Sequence, residues 1–146
     1  MKITDIQFGR LQVPLKTPFK TALRTVDRIE DIVVMVNTDS GHVGYGEAPA
    51  TAVITGDTHG SILDAIRHYI SPRLIGHDVA DLNHITQLIQ TSMEKNSSAK
   101  AAVEIAVYDL WGQLYRAPLY KLLGGADPVI TTDITISVDY IDKMVA

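Results

Sequence analysis

The stretch DIVVMVNTDSGHVGYGEAP, residues 31–49, decides the first half of the fold. Residues 32–36 are an almost pure β-branched run, the composition that fits a pleated, half-buried surface. Residues 37–42, NTDSGH, are dense in turn formers, and VGYGEAP returns as a second strand that Pro49 ends. Two strands around a compact turn make a hairpin. Upstream, Ile3, Ile6, Phe8, Leu11 and Val13 alternate imperfectly around Gly9, and Pro14 and Pro18 are expected to stop pairing. The chain therefore opens as a three-stranded antiparallel meander. Between Val13 and the β-branched run lies a polar stretch carrying Lys16, Thr17, Phe19, Lys20, Thr21 and Arg24, longer than a hairpin connection needs. The expectation is a long loop that covers something.

Downstream of the hairpin the periodicity changes to helical. Asp57 or Thr58 can cap a helix with Ile62, Leu63, Ile66, Tyr69 and Ile70 on one face, and Pro72 stands where it would kink the end. Leu82, Ile85, Leu88, Ile89 and Met93 repeat the signal, with Asp81 as cap. The clearest helix begins after Ser97 or Ser98: Val103, Ala106, Val107, Leu110, Trp111 and Leu114 form its apolar stripe, and its many alanines suit close packing. PLYKLLGG then supplies a first-turn proline and a glycine stop.

Residues 129–138, VITTDITISV, are strongly β-prone, and DYIDKMVA reads as a helix start. A strand leading into a helix opens a βα unit, and a parallel-type strand needs partners. The division expected is an α+β domain over residues 1–125, a meander followed by a helical bundle, and the first element of something larger over residues 126–146. Closure of residues 129–138 onto the N-terminal sheet as an edge strand is the other arrangement the pattern allows.

The bulk composition narrows the functional classes. The chain has 146 residues, 46% hydrophobic and 21% charged, the profile of a globular domain with a real core. A net charge of −4 with scattered basic residues offers no footprint for nucleic acid. No apolar run reaches membrane-spanning length, and the charged, alternating N-terminus is not patterned as a signal peptide. The absence of cysteine excludes disulfides and thiolate chemistry and makes a cytoplasmic location the simplest expectation.

Few side chains carry chemistry by pattern alone. GHVGYGEAP lacks the strand-to-helix context of a phosphate loop, so its glycines read as turn glycines. Glu47 is a candidate base without a second carboxylate or histidine at a telling spacing. The five histidines, His42, His59, His68, His77 and His84, form no ligand pair on one helix face. Arg24 differs: its rigid fork matches a carboxylate at two points, the grip of an anion reader, although a solvated surface arginine fits the same position. Residues 50–57, ATAVITGD, form a second loop whose Val53 and Ile54 have no periodic partner and suit the wall of a pocket.

Four blocks, TPFKTALRTV, GHVGYGEAPATAVITGD, SSAKAAVEIAVYDLWGQ and PLYKLLGG, in this order resemble the N-terminal capping domain of the enolase superfamily, muconate-lactonizing subgroup. The resemblance is nearest to the dipeptide epimerases that act on L-Ala-D/L-Glu. It implies a cap over the end of a modified β/α barrel, with two loops closing the site. Arg24 would grip the substrate's glutamate side chain, Phe19 and Ile54 would line the pocket, and Thr135 would contact substrate from the first barrel strand. It also implies a lysine pair that moves the proton next to a carboxylate, and Mg²⁺ held by three acidic residues to stabilise the enolate, all on later barrel strands. The chain has no Lys-x-Lys motif, so alone it is expected to be inactive. The implied partners are an acidic dipeptide and the missing barrel, with no nucleic acid or membrane, and a homo-oligomer is left open. Muconate cycloisomerase or o-succinylbenzoate synthase chemistry on the same scaffold, and a free-standing non-catalytic binding or oligomerisation module, are the alternatives.

Overall fold

A computed structural model describes residues 1–126 and 129–145. Three strands, β1 (Ile3–Lys20), β2 (Thr25–Thr38) and β3 (Val43–Pro49), form an antiparallel sheet in the order β1-β2-β3. This is the expected meander, with one correction. The supposed long loop is a strand: β1 continues through Pro14 to Lys20, so residues 21–24 alone connect it to β2. Pro14 pairs with Arg28, and the register resumes at Phe19 opposite Val26 after a bulge. β1 is an edge strand, where a missing N–H is tolerated, and the bulge absorbs Pro18. β3 pairs with β2 only over Asp31 to Asn37. Beyond that point β1 and β2 project as a two-stranded arm.

The inner face of the sheet presents Ile6, Ile32, Val34, Val36 and Ala48, all buried, to a layer of helices. Helix α1 (His59–Asp64) runs through a π-helical segment (Ala65–Ile70) into α2 (Ser71–Leu74). Thr58 caps α1 in a reciprocal pair with Ser61. Pro72 cannot donate to the carbonyl four residues back, and the widened turns immediately before it accommodate that loss in place of a sharp kink. Helix α3 (Leu82–Gln90) comes next, then α4 (Ser97–Tyr115) and α5 (Leu119–Leu122).

Two expected caps do not form. Asp81 occupies the N-cap of α3 without a side-chain bond, and the N-cap of α4 is Asn96, in a left-handed conformation and likewise without one. The amide and hydroxyl of Ser98 donate instead to Asp57, distant in sequence. At the C-terminus of α3, the Lys100 ammonium donates to the carbonyls of Gln90 (2.8 Å) and Met93 (2.5 Å), which satisfies helix-end acceptors and the buried amine together.

Helix α4 lies on β3 at a distance that only glycine permits. A Cβ on Gly44 would stand 2.1 Å from the carbonyl oxygen of Ala106, and one on Gly46 would stand 1.9 Å from that of Ala102. These two glycines are therefore packing residues, not turn residues. Gly41, at φ +78°, is the turn glycine.

The β-prone residues 129–138 form no strand among the described residues, neither a barrel strand nor an edge of the sheet. They are mostly solvent-facing, joined to the end of β1 where the Val138 amide donates to the Lys20 carbonyl (3.0 Å) and the Lys20 amide donates to Ser137 Oγ (2.8 Å). Helix α6 (Ile141–Met144) then begins as expected. The proposed division at 125/126 falls beside residues 127 and 128, which lie outside the described residues. No helix among the described residues is long and apolar enough to cross a membrane.

Candidate functional site

The arm and the segment after β3 enclose an open groove of about 310 Å³. Arg24, Arg28 and Glu30 line it from the arm, Ala50 and Thr51 from beyond β3, and His59 from the start of α1. Local chemistry fixes each wall. At the tip of the arm, Thr21 Oγ1 accepts from the amides of Leu23 (3.3 Å) and Arg24 (3.2 Å), and the Thr21 amide donates to the Arg24 carbonyl (2.9 Å). The backbone of Arg24 is thus held while its side chain is left to the groove. At the base, His59 Nε2 lies 3.0 Å from the Glu30 carbonyl. A carbonyl only accepts, so that nitrogen carries the proton, and the imidazole joins α1 to β2.

The two arginines of the groove are not equivalent. Arg28 is engaged by its neighbour Asp27 at 3.1 Å, which raises the guanidinium pKa and lowers that of the carboxyl. Arg24 is half-buried and enters no ion pair among the described residues. An unpaired, partly desolvated guanidinium beside a groove is suited to a carboxylate ligand.

The other expected site residues are distributed around it. Phe19 is half-buried opposite Val26, at the end of the arm. Ile54 is 63% exposed on residues 51–56, the turn whose first residue, Thr51, lines the groove. Thr135 is exposed on the C-terminal segment and does not line the groove. Its nearest described anchor is the junction of Ser137 and Val138 with Lys20, adjacent to Phe19.

Three features escaped the sequence pattern. Thr51 and His59 reach the groove from elements that join Arg24 only through the fold. The third is a carboxyl pair: β2 sets Val33 opposite Glu47 and Asp31 opposite Pro49, so Asp31 and Glu47 share the outer face of the sheet. A hydrogen bond with Asp31, with burial and charge repulsion adding to it, raises the pKa of Glu47. The second carboxylate that Glu47 lacks along the sequence is supplied across the strands. Glu47 does not line the groove. Among the described residues, no three histidine or acidic side chains converge as a metal site. The described residues do not fit Mg²⁺.

Comparison with known proteins agrees with this architecture. The family model for the mandelate racemase / muconate lactonizing enzyme N-terminal domain matches residues 4–124. An L-Ala-D/L-Glu epimerase from Clostridium acetobutylicum is 51% identical over 99% of this chain and 40% of its own. The substrate-liganded L-Ala-D/L-Glu epimerase of Bacillus subtilis superimposes with a TM-score of 0.94 at 49% identity, covering 99% of this chain and 40% of that one. A dipeptide epimerase from Enterococcus faecalis, complexed with Mg and L-Leu-L-Tyr, gives 0.91 at 35% identity, over 99% and 40%. The chain thus spans about 40% of the length of these relatives. It belongs to the mandelate racemase / muconate lactonizing enzyme family of the enolase superfamily, of which it carries the N-terminal capping domain.

Proposed function

We propose that this chain is the capping, specificity-bearing part of a Mg²⁺-dependent dipeptide epimerase that acts on acidic dipeptides of the L-Ala-Glu type. Residues 1–125 form the cap and residues 126–146 begin a barrel that carries the proton-transfer groups and the metal. The guanidinium of Arg24 takes the side-chain carboxylate of the substrate. Phe19 and Ile54 form apolar walls, and Thr135 contacts substrate from the first barrel strand. What this chain does in the reaction is bind, orient and exclude water, which strengthens every polar contact in the closed site.

The observation that carries the reading is the Arg24 guanidinium, without an ion pair among the described residues, beside the groove that the arm shares with Thr51. The barrel assignment draws support from the C-terminal segment, where Ile130 is 84% and Ile134 89% exposed. Apolar β-prone residues left in water are suited to a sheet that further polypeptide would complete.

The test joins residues 1–146 to the portion of the Bacillus subtilis epimerase beyond the matched part and measures racemisation of L-Ala-L-Glu and of uncharged dipeptides, with and without Mg²⁺. Arg24→Met removes two charge-assisted hydrogen bonds, about 3 kcal/mol, and is expected to lower kcat/KM about a hundredfold for the acidic dipeptide alone. An equal loss on uncharged dipeptides would refute the role of Arg24. Turnover of muconate or a succinylbenzoate precursor with dipeptides ignored would move the chain to another branch of the family. The 146-residue chain by itself is expected to show no epimerisation.

A further inference from the structure

Residues 51–56 close on themselves. The Thr51 carbonyl accepts from the amides of Ile54 (2.8 Å) and Thr55 (2.9 Å), the Ala52 carbonyl accepts from Gly56 (3.1 Å), and the hydroxyls of Thr51 and Thr55 lie 3.2 Å apart. Gly56, at φ +83°, ends the turn. The result is a small knuckle that holds out Val53 and Ile54, 67% and 63% exposed. Asp57, directly after the knuckle, takes an unusual role. An acid immediately before a helix ordinarily caps that helix, but Thr58 already caps α1. Asp57 is only 8% exposed, and its carboxylate turns to another helix, where Oδ2 accepts from the amide of Ser98 (3.3 Å) and its hydroxyl (2.5 Å). Helix α4 needs it, because its own N-cap, Asn96, offers no side-chain bond to the first turn. Helix α4 is also a fixed reference: Ala99, Ala102, Val103, Ala106, Val107 and Leu110 are fully buried.

We propose that Asp57 is a positioning residue, mooring the knuckle to α4 so that Val53 and Ile54 stand at a set height beside the groove and define the apolar half of the ligand's seat. The mooring is a feature of this chain by itself. Its consequence for substrate rests on the function proposed above. A loosened knuckle presents the same side chains over a wider range of positions, so binding weakens while proton transfer, done elsewhere, does not.

Two measurements separate the parts. In the 146-residue chain, Asp57→Ala is expected to accelerate amide hydrogen exchange at Ile54, Thr55, Gly56 and Ser98 at least tenfold, with β2 unchanged. Asp57→Asn, which keeps an acceptor oxygen, is expected to restore most of the protection. In the joined protein, Asp57→Ala is expected to raise KM for L-Ala-L-Glu about tenfold and change kcat less than threefold. Should Asp57→Ala fail to fold, Ser98→Ala removes the hydroxyl half of the mooring, and about threefold faster exchange at the same amides is expected. Unchanged exchange in a folded variant overturns the proposal, as does faster exchange with KM unaltered or with the loss confined to kcat. If the unmutated joined protein turns over no carboxylate substrate, the functional reading fails, and the exchange result alone decides the mooring.

Discussion

Replacing Gly46 by alanine tests how closely β3 and α4 are packed. The added Cβ would meet the Ala102 carbonyl oxygen at 1.9 Å and its carbon at 2.9 Å. Ordinary contact begins near 3.4 Å, so the shortfall is roughly 1.5 Å, and it falls on helix backbone that no rotamer change can move aside. Either α4 retreats along its length, opening gaps around Ala99, Val103 and Ala106, or β3 bends away from β2. Overpacking of this kind costs about 1–3 kcal/mol, and a clash with backbone belongs at the upper end. With a urea m-value of about 1.5 kcal/mol per molar, a cost of about 3 kcal/mol lowers the midpoint by about 2 M. The assay is urea unfolding of the chain followed by far-UV circular dichroism. Gly9→Ala is the control, since nothing lies within 4 Å of its added Cβ. Gly44→Ala, directed at the Ala106 carbonyl, is expected to cost as much alone and less in the double variant, because a helix already displaced accommodates the second methyl. A cost below about 0.5 kcal/mol for Gly46→Ala at unchanged m would refute the packing argument.

Two further outcomes concern charge. Lys100→Met strips the carbonyls of Gln90 and Met93 of their donor, and a loss of about 1–3 kcal/mol is expected in the same unfolding assay. The folded pKa of Glu47 is raised, so the folded state binds that proton more tightly than the unfolded one. Its contribution to stability is present below the ordinary glutamate pKa and is lost as pH rises through the folded value. Glu47→Gln is therefore expected to be more stable than the parent at pH 7, with the difference closing as pH falls through the raised folded value and gone below 4.5, and melting curves across that range check it.

The parts of the fold that were legible in the sequence are those set by local chemistry. NTDSGH makes its turn wherever it stands, and the apolar faces of residues 59–74 and 97–115 carry their own period. The arm was obscured because Pro14 and Pro18 read as stops, a rule that an edge strand with a bulge escapes. Residues 129–138 have the propensity of a strand but form none among the described residues, because a β-branched segment makes a strand only with a neighbour to pair with. Gly44 and Gly46 looked like turn glycines because the demand on them comes from α4, some sixty residues away. The site divides similarly. Arg24 stood out by type and neighbourhood, whereas Thr51, His59 and the Asp31–Glu47 pair depend on strand register and helix placement, which no single stretch of sequence encodes.

The two-stranded arm has a consequence for how this protein can change. No residue from 9 to 31 belongs to the hydrophobic core, so the arm and its tip add almost nothing to the free energy that holds the cap together. Substitutions at Phe19, Arg24 or their neighbours can therefore be sampled with little risk of unfolding. On the function proposed above, the arm's share of recognition lies outside the core that folds the cap, and a lineage, or a laboratory library, can revise it without first shoring up that core.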